Sequence, residues 1–119
     1  MPVYRWDKLP EVELNPLIYG KVLKVPNAMI ARIRAPKGNM MNMHRHDFDQ
    51  ITNVIAGKMR WYIEGEPTCI VEAGNVMLMP AGVAHGGEVL EDAEYIDVFA
   101  PPRQDFSWNK QKLPPSESK

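Results

Sequence analysis

Glycine and proline recur along this chain about every 8 to 10 residues, and that spacing constrains the fold more than any other feature. Eleven prolines and eight glycines interrupt the chain before a long helix can form. The segments between the turns are short and rich in residues that favour strands. Strands are predicted over residues 21–25, 29–35, 51–55, 59–64, 68–72, 76–79 and 93–99. The sequence therefore predicts an all-β fold, a small antiparallel barrel or jelly roll.

The length of the chain, 119 residues, fits a single domain. We expect a lead-in strand or arm over residues 1–19 and the barrel over residues 20–106. We expect a flexible tail over residues 107–119, because the last ten residues hold two prolines, two serines and three lysines and have almost nothing to bury. The predicted organisation is one barrel between two short extensions.

Charge and composition exclude several classes of partner. Fourteen Lys and Arg against fifteen Asp and Glu give a formal net charge of -1, which supplies no field for nucleic acid or for an anionic membrane. The apolar runs are far shorter than the ~18 residues of a transmembrane helix, and the N-terminus lacks the apolar run of a signal peptide. The one cysteine, Cys69, cannot form a disulfide within the chain. We therefore expect a cytoplasmic protein with no nucleic-acid or membrane partner.

All three histidines of the chain lie near turns that could face one another: His44, His46 and His85. Alternate side chains of an extended segment share a face, so His44 and His46 can point to one side together with Gln50. Two imidazoles at this spacing and a third from another strand form a set that suits zinc, nickel, copper or iron. Gln50 could supply a fourth, neutral oxygen. The spacing of His44 and His46 alone also fits a solvated loop.

A frame of glycine and proline surrounds these histidines. It runs Gly38, five residues, His44-Arg45-His46, three residues, Gln50, six residues, Gly57, and later Gly74, five residues, Pro80-Ala81-Gly82, two residues, His85. The two segments resemble the paired signatures of the cupin superfamily, G-x5-H-x-H-x3-E-x6-G and G-x5-P-x-G-x2-H-x3-N, and the resemblance extends over roughly residues 20–103. It implies a cupin-type antiparallel β-barrel that holds one divalent metal ion per chain, which is nickel, zinc, manganese or iron. The implied ligands are His44, His46, Gln50 and His85.

Two positions depart from the cupin signatures, with Gln50 in place of glutamate and Val89 in place of asparagine. Three neutral imidazoles and one carboxamide leave the charge of a divalent ion uncompensated. We expect such an ion to be a stronger Lewis acid, held less tightly than with a carboxylate ligand. A degenerate cupin that lost its metal together with the glutamate is the alternative.

A second group of candidate residues lies near the end of the last predicted strand. Asp97 and Phe99 share a parity, and if their face lines the barrel interior, Asp97 is a candidate general base in an apolar cavity. Arg103 follows Pro101-Pro102, whose rigid backbone would hold the guanidinium at the barrel mouth, where it suits a bidentate grip on a carboxylate. An ordinary strand end, with Asp97 paired to Arg103 or to another surface cation, fits the same residues.

Within the cupins, the sequence resembles the small proteins of pectin and alginate catabolism that linearise 4,5-unsaturated uronates. Gln50, Asp97, Phe99 and Arg103 match that family by position. The resemblance implies an enzyme that opens the ring hemiacetal of an unsaturated monouronate to the linear keto product. It implies that Asp97 moves the proton, Phe99 shapes the sugar pocket and Arg103 holds the uronate carboxylate. It also implies a homodimer.

Two other functions stay open beside this redox-neutral isomerase or lyase. A metal-dependent iron dioxygenase fits because neutral three-histidine sites also occur in iron oxygenases. A non-catalytic cupin that binds a small ligand fits because one scaffold of this kind hosts many functions. We place the isomerase or lyase first.

Overall fold

Two long antiparallel strands organise the molecule, which the computed structural model describes over residues 1–117. The fifth strand, β5, spans Asp49–Ile63 and the eighth, β8, spans His85–Ala100, and they pair along almost their whole length. The remaining elements are a 3-10 turn at Trp6–Lys8 and the shorter strands β1 (Val12–Asn15), β2 (Ile18–Val25), β3 (Ala28–Ala35), β4 (Met40–His44), β6 (Cys69–Glu72) and β7 (Val76–Met79), with one short helix, α1 (Phe106–Asn109).

Both long strands contribute to the two layers of the barrel. The first half of β8 pairs with β4, whereas its second half pairs with β3. The first half of β5 pairs with β7, whereas its second half pairs with β6. One layer therefore runs β1-β2-β3-β8-β5-β7 and the other runs β4-β8-β5-β6. This antiparallel jelly roll confirms the all-β fold that the sequence predicts.

A bulge in β5 lets the strand pass from one layer to the other. The register of β5 against β8 shifts repeatedly between Val54 and Met59. Gly57 lies in this bulge at φ 85°, and a Cβ there would collide with the backbone of Asp92 and Ala93. The sequence predicts two separate strands on either side of this glycine, but the structure has a single bent strand.

The inward faces of the strands form one apolar core, as alternation along half-buried strands requires. Val89, at the position where the cupin signature has asparagine, is among these buried residues. The core includes Leu14, Val22, Met29, Ile33, Val54, Met59, Trp61, Val71, Met77, Val89, Tyr95 and Phe99.

The segment after β8 lies against the barrel. Helix α1 packs on β1 and buries Trp108. The side-chain amide of Gln111 accepts a hydrogen bond from the Val22 backbone N–H at 3.2 Å and donates one to the Val22 carbonyl. The division into arm, barrel and tail stays a prediction, and residues 118–119 of the predicted tail lie outside the described residues. No helix in the described part of the chain has the length and apolar character needed to cross a membrane.

Candidate metal centre and active site

The three histidines converge at one end of the barrel. His44 ends β4 and pairs in register with His85, which begins β8. His46 follows in the loop between β4 and β5. One ring nitrogen from each histidine lies within 4.8 Å of the other two. His44 is exposed, His46 is half-buried and His85 is buried, so the group opens outward from the core.

The convergence has a different local cause from the one that alternation predicts. The sequence predicts one extended segment over residues 44–50, but the chain turns between β4 and β5. The turn is held by the loop between β7 and β8, in which the Gly82 N–H donates to the His46 carbonyl and the Ala81 N–H donates to the Asp49 carboxylate, both at 2.8 Å. Hydrogen bonding to the glycine and proline loop thus fixes the position of His46.

Backbone carbonyls fix the tautomer of all three rings. Each Nδ1 lies within hydrogen-bond distance of a carbonyl oxygen two residues away in the chain, and a carbonyl can only accept, so Nδ1 carries the proton. The lone pair of each neutral ring is then on Nε2, the arrangement that orients histidine ligands in metal sites. The pairs are His44 with Asn42 at 2.8 Å, His46 with Phe48 at 2.9 Å and His85 with Val83 at 3.0 Å.

Burial keeps the two inner rings neutral. It lowers the pKa of His46 and of His85 below the ordinary value, and the neighbouring His44 and the Arg103 guanidinium lower both further. The backbone hydrogen bonds oppose this effect without reversing it. At neutral pH these imidazoles are therefore in the form that binds a metal ion.

Gln50 gives a direct test of whether the group fits a cation. Its side chain is buried, with Oε1 at 3.2 Å from His46 Nε2. With the His46 proton on Nδ1, these two atoms face each other with lone pairs, an arrangement that a shared cation satisfies. The donor set of three imidazole nitrogens and one amide oxygen therefore fits a divalent ion such as nickel, zinc, manganese or iron.

A hydrogen-bonded chain connects Gln50 to Asp97 through Thr52. The Gln50 Nε2 group donates to Thr52 Oγ1 at 3.0 Å, and the Thr52 hydroxyl donates to Asp97 Oδ1 at 2.7 Å. Thr52 lies directly opposite Asp97 in the β5–β8 register. Sequence reasoning missed Thr52, although it shares the inward parity of Gln50.

Asp97 lies inside the barrel, on the face that it shares with Phe99. The sequence predicts the shared face but leaves open whether that face lines the interior. Burial raises the pKa of Asp97 to about 7, against the lowering effects of the Thr52 hydrogen bond and the Arg103 charge. Its hydrogen bond to Thr52 and the position of Arg103, which pairs with Asp105, differ from the surface Asp97–Arg103 pair that the sequence left open. A carboxyl group with this pKa can both accept and release a proton near neutral pH.

Arg103 is held at the mouth by aromatic rings. Its guanidinium carbon lies 4.2 Å from the centre of the Trp108 ring, 5.1 Å from that of Phe99 and 5.4 Å from that of Phe48. Its Nη2 donates to Asp105 Oδ2 at 2.6 Å. Trp108, from the helix after the barrel, was not predicted as part of the site.

Phe99 lies beneath the mouth. It is fully buried, and its ring meets those of Phe48 and Trp108 edge to face at 5.4 and 5.2 Å. Phe99 is not among the described residues that line the cavity next to Asp97 and Arg103. Its predicted role of shaping a sugar pocket is therefore indirect, because Phe99 supports the Arg103 guanidinium from below.

One cavity joins these groups. It has a volume of about 480 Å³ and lies between the histidines and helix α1. Five of the seven sequence-predicted site residues line it: His44, Gln50, His85, Asp97 and Arg103. His46 faces a more open hollow beside Phe48. A volume of this size suits a small ligand.

The chain matches known proteins over most of its length. Its structure resembles that of KdgF from a Halomonas species, with a TM-score of 0.79 and 28% identity over 87% of this chain and 98% of that one. This neighbour bears out the resemblance to the cupins of pectin degradation. The uncharacterized protein SCO3923 of Streptomyces coelicolor is 30% identical over 86% of this chain and 98% of its own length.

A third relative covers the chain differently. The nitrosourea synthase of Streptomyces achromogenes subsp. streptozoticus is 27% identical over 72% of this chain, which spans only 19% of that protein. The family model described as Cupin domain matches residues 31–99, from β3 to the end of β8. The chain therefore belongs to the cupin family.

Proposed function

We propose that this cupin is a metal-dependent, redox-neutral isomerase or lyase that acts on a small acidic sugar. We propose that its substrate is a 4,5-unsaturated uronate, whose ring hemiacetal it opens to the linear keto form. One observation carries the proposal: a single cavity is lined by His44, Gln50 and His85, by the buried Asp97 carboxyl group and by the Arg103 guanidinium. The likeness to KdgF, a cupin of pectin degradation, supports a substrate of this class.

Asp97 would move the proton in this isomerisation. Ring opening breaks the bond between the anomeric carbon and the ring oxygen, and the anomeric hydroxyl loses its proton as it becomes a carbonyl. The enol oxygen becomes a ketone as a proton is added to the adjacent alkene carbon, so no atom is gained or lost. A carboxyl group with a pKa of about 7 suits both transfers. The Thr52 hydroxyl holds the carboxylate in place.

Arg103 would bind the uronate carboxylate. Its guanidinium is fixed over the rings of Trp108 and Phe99, and a planar guanidinium binds a carboxylate through two parallel hydrogen bonds. Asp105 accepts from Nη2 and Nε is buried, so the remaining N–H groups of Nη1 and Nη2 would bind the substrate. Binding in a fixed orientation places the sugar ring toward Asp97.

His44, His46, His85 and Gln50 would hold one divalent ion per chain, either nickel, zinc, manganese or iron. A bound ion would supply Lewis-acid polarisation of substrate oxygens. The four neutral ligands leave the ion's charge uncompensated, so its pull on a substrate oxygen is stronger than with a glutamate ligand. The lowered pKa of His46 and of His85 keeps these ligands available at neutral pH.

The test is an ultraviolet assay on protein of known metal content. The metal-free protein is loaded with each of the four ions, the metal bound per chain is measured, and an unsaturated uronate is added. We expect about one ion per chain and loss of the conjugated-alkene absorbance. Bound metal with a persistent absorbance would contradict the substrate, and no binding after reconstitution would contradict the metal site.

The same assay under nitrogen separates the proposal from the dioxygenase alternative. A redox-neutral ring opening needs no oxygen, so the rate should be unchanged when oxygen is removed. A rate that requires Fe²⁺ and dissolved oxygen would favour the dioxygenase. Binding of the uronate without any product would favour the non-catalytic cupin.

We also propose that the protein is a homodimer. Apolar residues from four neighbouring strands lie side by side on the outer face of the larger layer: Ile30, Val98, Ile51 and Leu78. Ile51 and Leu78 are exposed, and such a row suits burial against a second copy. Light scattering should give the dimer mass, and Leu78→Lys should give the monomer mass. A monomer for the unchanged chain would contradict the proposal.

A further inference from the structure

Gln50 differs from a glutamate in the number of atoms that can bind a metal. A carboxylate has two equivalent oxygens, so either one can serve as ligand. A carboxamide has one oxygen, and its NH2 group is a donor that cannot bind a cation. Rotation of the Gln50 amide by half a turn would therefore replace the ligand atom by a group that repels the ion. A site built with glutamine needs a partner that fixes this rotation.

Thr52 is placed to be that partner. Its side chain is fully buried on the inward face of β5, two residues after Gln50. Its Oγ1 lies 3.0 Å from Gln50 Nε2 and 2.7 Å from Asp97 Oδ1. The β5–β8 register places Thr52 opposite Asp97, so the backbone pairing of the two long strands sets these distances.

The single hydrogen of the Thr52 hydroxyl decides which way the amide faces. That hydrogen is donated to the Asp97 carboxylate, so toward Gln50 the oxygen can only accept. The group that meets Thr52 must then be the Gln50 NH2. The Gln50 oxygen is left to face the histidines, where it lies 3.2 Å from His46 Nε2.

We infer that Thr52 is a positioning residue that holds the Gln50 carboxamide with its oxygen toward the three histidines and thereby sets the affinity of the site for a divalent ion. The inference deepens the proposed function and rests on its metal site. It assigns a purpose to a fully buried hydroxyl that does not line the cavity.

The first part of the test measures metal affinity without substrate. Zn²⁺ is titrated by calorimetry into the metal-free protein, into Thr52→Val and into Thr52→Ser. Loss of the hydroxyl should weaken zinc binding by about 10-fold to 100-fold, the usual effect of removing a group that orients a ligand. Thr52→Ser keeps the hydroxyl and should bind within about threefold of the unchanged protein.

The second part uses Gln50→Glu to separate positioning from general damage. A carboxylate presents an oxygen in either rotation, so in the Gln50→Glu background Thr52→Val should change zinc affinity by less than about threefold. An equal loss in both backgrounds would overturn the inference, because it would mean that Thr52 only supports the local structure.

The outcomes also separate this inference from the proposed function. Unchanged zinc affinity in Thr52→Val would overturn the role of Thr52 and leave the metal site intact. Absence of zinc binding by the unchanged protein would overturn the metal site and the inference together. A loss confined to the glutamine background supports both.

Discussion

The two halves of β5 bury different kinds of side chain. The first half turns Gln50 and Thr52 inward, whereas the second half turns Met59 and Trp61 inward. Both halves pair with β8, and the polar half meets Asp97. A buried apolar side chain contributes roughly 1.5–3 kcal/mol to stability, whereas a buried polar group costs free energy unless it is hydrogen-bonded.

The comparison separates two functions within one strand. The polar half satisfies its buried groups mainly against one another, through the bonds from Gln50 to Thr52 and from Thr52 to Asp97. Replacing Gln50, Thr52 and Asp97 by apolar residues would keep the barrel but lose the chemistry of the site. We therefore expect substitutions in the polar half to change binding and turnover, and substitutions in the apolar half to change stability.

The largest expected effect is on turnover, at Asp97 of β8, the carboxyl group that the polar half of β5 meets. Asp97→Asn removes the proton acceptor while its amide oxygen can still accept the Thr52 hydrogen, so turnover of the unsaturated uronate should fall by about 10²–10⁴-fold. The metal bound per chain should stay unchanged. Glu91→Gln, an exposed carboxylate of the same strand, is the matched control. Turnover within a few-fold of the unchanged protein would remove Asp97 from the mechanism.

The second effect is on stability, in the apolar half. Met59→Ala leaves a cavity at a fully buried position and should lower the free energy of unfolding by about 2–5 kcal/mol, measured by urea titration. Zinc affinity of the folded protein should not change. Val25→Ala, at an exposed position, should cost less than about 0.5 kcal/mol. Equal losses for the two variants would contradict the assignment of stability to the apolar half.

A smaller effect is expected at the mouth of the cavity. Arg103→Lys keeps the charge but loses the planar group that stacks on Trp108 and forms paired hydrogen bonds. The KM for the uronate should rise about 10-fold with little change in kcat. Arg34→Lys, an exposed residue paired with Glu11, is the control. A fall in kcat at unchanged KM would contradict carboxylate binding by Arg103.

The smallest effect is a pH dependence of stability in the metal-free protein. Burial raises the pKa of Asp97 from 3.8 to about 7, so the native state keeps the proton to higher pH than the unfolded state. This group therefore stabilises the fold at low pH and loses that contribution as the pH rises through about 7. The free energy of unfolding is measured with urea at pH 5 and at pH 8. From pH 5 to pH 8, the stability of Asp97→Asn should rise by about 1 kcal/mol or more relative to that of the unchanged protein. A fall in the relative stability of Asp97→Asn from pH 5 to pH 8 would show that Asp97 ionises more easily when buried.

The parts of the site that local spacing determines were predictable from the sequence. The glycine and proline spacing predicts the barrel. Parity predicts that Gln50 shares a face with the histidines and that Asp97 shares one with Phe99, but it leaves open whether the face of Asp97 lines the interior. Parity also links His44 and His46, although a turn between β4 and β5, rather than one extended segment, brings them together. The metal ligands and the role of Asp97 stay predictions that the experiments above test.

The parts that depend on contacts between distant segments were not predictable. Thr52 acquires its importance from lying opposite Asp97, and that register follows from the pairing of β5 with β8 and from the bulge at Gly57. Trp108 lies in a segment whose composition predicts a flexible tail, yet its ring covers the Arg103 guanidinium. Propensity and alternation describe single segments, so they carry no information on such pairs.

The Gln111 amide has a consequence for association between molecules. Strand β1 pairs with β2 only up to Gly20, so the backbone of Val22 lies beyond the end of its neighbour. The Gln111 side chain forms hydrogen bonds with both the N–H and the carbonyl of Val22. It thereby satisfies the two backbone groups that a neighbouring strand would otherwise pair with. Unpaired strand edges template edge-to-edge aggregation. Gln111 therefore protects this edge against pairing with other chains.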